Sequence, residues 1–290
     1  MKHVRAIAVL PTLFTLGNLV CGFFAIVVAA RIGKPGTVER VQSPTIETAR
    51  QLFDSGDPTH NLMLCGLLIF VAMICDLFDG QVARLTRTTS DFGGQLDSLC
   101  DIVSFGVAPA ILLVKMCPEF TSVHREAVWS IAALFASCAA LRLARFNVET
   151  DDTDRHLTFA GLPSPAAATV ISSFAMLAYF LRNEGNVENA TYEMYDGWLQ
   201  LLLPPFAAVV ALLMVSRIPY PHLVSQFLRR KRSFSQVVTL VFGLMILWAV
   251  KWYAVPILCG LYAAIPAIQH AWVLFLRSRK ARQSNSSKAV

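Results

Sequence analysis

The sequence predicts an all-α bundle of about eight membrane-spanning helices. Three observations carry that reading: 55% of the residues are hydrophobic, only 15% are charged, and the apolar residues fall in long blocks. A soluble domain usually carries about 25% charged residues. At a mean hydropathy of +0.54, too few polar side chains remain to cover a water-exposed surface. A helix crosses the hydrocarbon core in roughly 20 residues, and the blocks have that scale.

The expected spans are residues 6–30, 62–78, 96–116, 128–144, 163–181, 198–215, 237–250 and 254–276. The apolar stretch of the first exceeds the roughly 7–15 residues of a signal segment, so it reads as a true span. The seventh is short, and Lys251-Trp252-Tyr253 leaves little room for a turn before the eighth; a count of seven stays open. Residues 31–61 form the longest polar connection. There Ser43-Pro44 offers a cap and a first helical residue for a short external helix. The 182–197 connection is acidic, with Glu184, Glu188, Glu193 and Asp196. Residues 1–276 read as one membrane domain without internal repeats. Residues 277–290 read as a basic, disordered tail.

Lysine and arginine set the orientation. With eight spans and both termini on one side, that side collects 17 of the 25 basic residues, including the run at 229–232. The positive-inside bias then puts both termini and the aspartate-bearing loops in the cytoplasm of a multi-pass cell-membrane protein. A cytoplasmic face beside anionic membrane lipids accounts for the net charge of +6, so no nucleic acid is needed. The seven cysteines (21, 65, 75, 100, 117, 138, 259) form no CxxC pair and lie mostly within spans. They read as small apolar packing residues, not as a disulfide frame or zinc site.

The chemistry concentrates in Asp76, Asp79, Asp97 and Asp101. A charge in mid-span costs about 2.5–3.5 kcal/mol on insertion scales, and four neighbouring carboxylates add mutual repulsion. Packing alone does not call for such a set. Asp76 and Asp79 are three apart and share a helix face, while Gly93, Asp97 and Asp101 form one stripe at four-residue spacing. Thr88-Thr89-Ser90-Asp91 supplies turn formers and caps between the two helices, so a hairpin can bring the faces together. Carboxylate oxygens from two facing helices suit a hard divalent cation, Mg²⁺ or Mn²⁺. Gly80, Ala83 and Gly93 remove bulk beside the carboxylates, and Arg84 adds a fixed cation for a phosphate. The bland reading of the small residues, close helix contact, has about even odds for each one alone.

In full, Asp76-x₂-Asp79-Gly80-x₂-Ala83-Arg84-x₈-Gly93-x₃-Asp97-x₃-Asp101 resembles the signature of the CDP-alcohol phosphatidyltransferase family at every fixed position. The blocks at 10–18, 97–109, 142–147 (Arg142-Leu143-Ala144-Arg145-Phe146-Asn147) and 161–165 (Gly161-Leu162-Pro163-Ser164-Pro165) are similar to its phosphatidylserine synthase branch. Thr12 departs from it, since relatives often carry Asn there. The resemblance implies transfer of a phosphatidyl group from CDP-diacylglycerol to L-serine, giving phosphatidylserine and CMP. By position, Asp76, Asp79 and Asp97 would bind metal, and Asp101 would border it and act as general base. Gly80, Ala83, Arg84 and Gly93 would receive the CDP moiety, with Thr15 and Asn18 nearby. Arg142 or Arg145 would hold the serine carboxylate; read without the resemblance, both would be positive-inside anchors. A homodimer is an assembly the family admits. Two alternatives stand beside this reading. One is the same chemistry on glycerol 3-phosphate, inositol phosphate or choline. The other is a cation transporter, which would string its carboxylates through the bilayer depth.

Overall fold

A computed structural model describes residues 2–32, 58–86, 91–118, 124–149, 159–183, 189–220 and 253–287. The helices are α1 (Lys2–Ala30), α2 (Pro58–Thr86), α3 (Asp91–Asp101), α4 (Ala108–Met116), α5 (Arg125–Glu149), α6 (Ser164–Asn183), α7 (Asn189–Val215) and α8 (Ala254–Ser287). A π-helical segment, Ile102–Val107, joins α3 to α4, so these three pieces make one span. Two short strands, β1 (Phe159–Ala160) and β2 (Pro219–Tyr220), complete the set.

The all-α reading holds, with seven helices among the described residues long and apolar enough to cross a membrane. The expected span at 237–250 lies outside the described residues, as do Ser43-Pro44 and the basic run at 229–232. One expectation is corrected. The tail expected to be disordered from Arg277 continues α8 as helix to Ser287. Arg277-Ser278-Arg279-Lys280-Ala281-Arg282-Gln283 is rich in strong helix formers. Extending a helix that already exists avoids the cost of nucleation.

The third span and α6 are the most enclosed helices, and the others surround them. Close approach depends on small residues. Gly66 of α2 meets α6, where an added Cβ would lie 2.9 Å from Ser172 O. The hydroxyls of Thr169, Ser172 and Ser173 on α6 are turned back onto the carbonyls of Ala166, Ala168 and Val170. They therefore lie in an apolar interior without an unpaired donor.

The interruption of the third span has a local cause. Pro109 has no N–H to give to the carbonyl four residues back, and its ring clashes there. The backbone widens instead: Ala108 N–H donates to Val103 O, a five-residue step. The widened turn presses Ser104 against α1 at Gly22, where a Cβ would lie 2.7 Å from Ser104 Cα.

A backbone clip joins the ends of α6 and α7. Phe159 pairs with Tyr220 and Ala160 with Pro219, antiparallel. Gly161 N–H donates to Ile218 O at 2.9 Å and Leu162 N–H to Leu213 O at 3.0 Å. Gly161 sits at φ +92°, and a Cβ there would collide with Met214 O and lie 2.9 Å from Ser216 O. Gly161→Ala should therefore destabilise the protein by about 1–3 kcal/mol, read as a lower unfolding temperature in detergent. Gly197→Ala, whose Cβ meets nothing within 4 Å, is the control and should not lower it.

Candidate active site

Two helices bring the carboxylates together from opposite chain directions. Asp76 and Asp79 lie toward the C-terminal end of α2, and Asp97 and Asp101 on α3. Carboxylate oxygens of Asp76, Asp97 and Asp101 fall within 4.8 Å of one another. Asp79 is 5% exposed and neighbours Asp97 and Thr15. The Thr15 hydroxyl also reaches Pro11 O at 3.1 Å. The hairpin expected from the spacing thus places all four aspartates in one region.

The first helix supplies the organising donor. Asn18 Nδ2 donates to Asp101 Oδ1 at 2.9 Å, and Ser104 Oγ donates to Asn18 O at 2.9 Å. The π-helical turn therefore fixes the backbone of the asparagine that orients Asp101. Ser104 lies within the 97–109 block, but sequence spacing offered no partner for it. The same holds for Asn147, whose Nδ2 donates to Ser98 Oγ at 2.9 Å and ties α5 to the aspartate helix.

The site is rich in acceptors. Asp79 Oδ2, Asp97 Oδ1 and Asn18 Oδ1 are buried without a hydrogen-bond partner among the described residues. Each such oxygen loses its hydration with nothing in return. An oxygen-only donor set of several carboxylates fits a divalent metal, which would satisfy those atoms and relieve the repulsion.

Space for a ligand opens beside this cluster. A Cβ on Gly80 would meet nothing within 4 Å, so the surface next to Asp79 is open. Gly93 is half-buried on the first turn of α3. Ala83 and Arg84 lie on α2, and their side chains fall outside the described residues.

The two arginines of α5 diverge. Arg142 is 9% exposed, donates from Nη1 to Ser164 Oγ at 2.8 Å, and faces Asp101, Asp76 and Tyr262. Arg145 donates from Nη1 to Val215 O at 3.2 Å, at the last residue of α7. The guanidinium of Arg142 is thus the cation beside the aspartates, while Arg145 supports the clip.

Comparison with known proteins agrees with this arrangement. The family profile for CDP-alcohol phosphatidyltransferase matches residues 8–213. A CDP-diacylglycerol–serine O-phosphatidyltransferase of Helicobacter pylori (strain J99) is 32% identical over 216 residues, covering 74% of this chain and 81% of that protein. The namesake from Methanocaldococcus jannaschii is 36% identical over 156 residues, 53% of this chain and 62% of that protein. An archaetidylserine synthase of Methanothermobacter thermautotrophicus is 34% identical over 158 residues, 54% and 57% of the two chains. A match that runs from the first span nearly to the end of α7 makes this chain a member of the CDP-alcohol phosphatidyltransferase family.

Proposed function

We propose that the protein transfers the phosphatidyl group of CDP-diacylglycerol to L-serine, releasing CMP and giving phosphatidylserine. The observation that carries this reading is the carboxylate cluster in which Asp101 is held by Asn18 and faced by Arg142. The names of the relatives support serine as the acceptor. A transporter would distribute its carboxylates through the bilayer depth, whereas these converge on one point.

Asp76, Asp79 and Asp97, with Asp101 at the border, would hold Mg²⁺ or Mn²⁺, which when bound neutralises the diphosphate and the departing CMP. Thr15, Asn18, Gly80, Ala83, Arg84 and Gly93 would receive the CDP moiety. Asp101 takes the proton of the serine hydroxyl as that oxygen bonds to the lipid-side phosphorus. The bond from this phosphorus to the bridging oxygen breaks, and its electron pair leaves with CMP. Arg142 pairs with the serine carboxylate in a charge-assisted contact. Arg145 is engaged at Val215 O, so Arg142 is the arginine assigned to the acceptor. Both chain ends and the aspartates face the cytoplasm, where serine is taken from water while the acyl chains stay in lipid.

Chelation should abolish transfer and added Mn²⁺ or Mg²⁺ should restore it; full activity in excess chelator removes the metal from the reading. Asp101→Asn should lower turnover by about 10²–10⁴-fold while CDP-diacylglycerol still binds. Near-normal turnover would instead remove Asp101 as base. Labelled L-serine with CDP-diacylglycerol should give labelled phosphatidylserine and CMP, and Arg142→Ala should raise KM for serine more than for the lipid. Efficient use of glycerol 3-phosphate or inositol phosphate with serine inert would overturn the acceptor.

A further inference from the structure

We propose that Tyr262, on the last membrane span, is a specificity residue whose hydroxyl donates to the acceptor's carboxylate beside Arg142. This rests on serine being the acceptor, and it adds α8 to a site otherwise built from α1, α2, α3 and α5.

Placement comes first. Tyr262 is half-buried, and its ring centroid lies 6.2 Å from that of Tyr220. The Tyr220 hydroxyl donates to Ala263 O at 2.9 Å, so β2 and its clip fix α8 at this level. One turn earlier on α8, Cys259 packs against Thr169 and Ser173 of α6. Tyr253, just before α8, lies with Leu177 and Leu181 near the end of α6, so the two helices run antiparallel and Tyr262 falls nearer the start of α6, where Ser164 receives Arg142. The Arg142 guanidinium has Tyr262, Asp101 and Asp76 as electrostatic neighbours.

The chemistry of this set is one-sided. Arginine has donors and no acceptor, so an oxygen beside it must accept from it or turn its own proton elsewhere. Ser164 Oγ accepts from Arg142, which directs the serine proton away from the guanidinium. The Tyr262 oxygen beside the same cation is directed likewise. Guanidinium and phenol thus lie together, with the arginine braced from behind by the fully buried Ser164. A carboxylate offers about four lone-pair positions to such donors, and the partner set sits next to Asp101, where the acceptor hydroxyl must lie. A neutral alcohol such as serinol would offer these donors no carboxylate to accept from them.

The test compares wild type with Tyr262→Phe, which keeps the ring against Tyr220 and removes the hydroxyl. KM is measured for L-serine, serinol and CDP-diacylglycerol. The expected result is a rise of about tenfold or more in KM for serine, the scale of one hydrogen bond to a charged group. The lipid KM and the KM for serinol should change little, so the preference for serine over serinol falls. Ser164→Ala should show the same selective loss. An unchanged serine KM in Tyr262→Phe, or an equal rise for serine and CDP-diacylglycerol, would overturn the assignment. If wild-type protein leaves serine untouched, the function itself is wrong; if wild type uses serine and the variant matches it, only the role of Tyr262 fails.

Discussion

Carboxylates gathered inside a membrane bundle repel one another and lose their hydration, and most of the local design answers that cost. Asp101 is met by an amide donor from α1. Asp76 and Asp101 both look toward a buried guanidinium. Asp79 Oδ2 and Asp97 Oδ1 have no such answer among the described residues, which is where a cation belongs. Removing α1 or α5 would leave carboxylate charge uncompensated, so the site and the bundle stabilise each other.

Position within the site is set by contacts that tolerate little slack. The π-helical turn carries the extra residue that Pro109 forces on the third span, and Gly22 lets that turn approach α1. Ser104 then binds the carbonyl of the residue that orients Asp101. On the other side, the β1–β2 clip holds the entry to α6, and with it the hydroxyl that receives Arg142. General-base chemistry needs the base within hydrogen-bond reach of the proton it takes. One brace holds the asparagine bound to Asp101, the base of the proposed reaction, and the other holds the arginine beside it.

The aspartates were legible in the sequence because helical spacing is rigid: residues three or four apart must share a face, and charge in an apolar block stands out. The span pattern was equally plain from hydropathy. The braces were not. The polar side chains of Ser104 and Asn147 find partners 86 and 49 residues away, and nothing local marks such pairings. Pro109 signals a break but not which kind. The extra residue rotates the aspartate-bearing half of the span by about 100° against its continuation, so a face traced through it as ideal helix would be misassigned. Arg142 and Arg145 look alike in sequence, and only their different neighbours, Ser164 and Val215 O, separate them. The helical tail reverses a compositional reading, since polarity says a segment needs no core but not that it lacks a helix to extend.

The four aspartates lie in the last third of the second span and the first half of the third, so all are on the side of the loop that joins these spans, and this bears on membrane growth. A lipid whose reacting phosphorus is handled there keeps its glycerol backbone on that side throughout. Under the proposed reaction, new phospholipid would be added to the leaflet that supplied its precursor. The two leaflets would then expand unequally unless separate machinery moves lipid across.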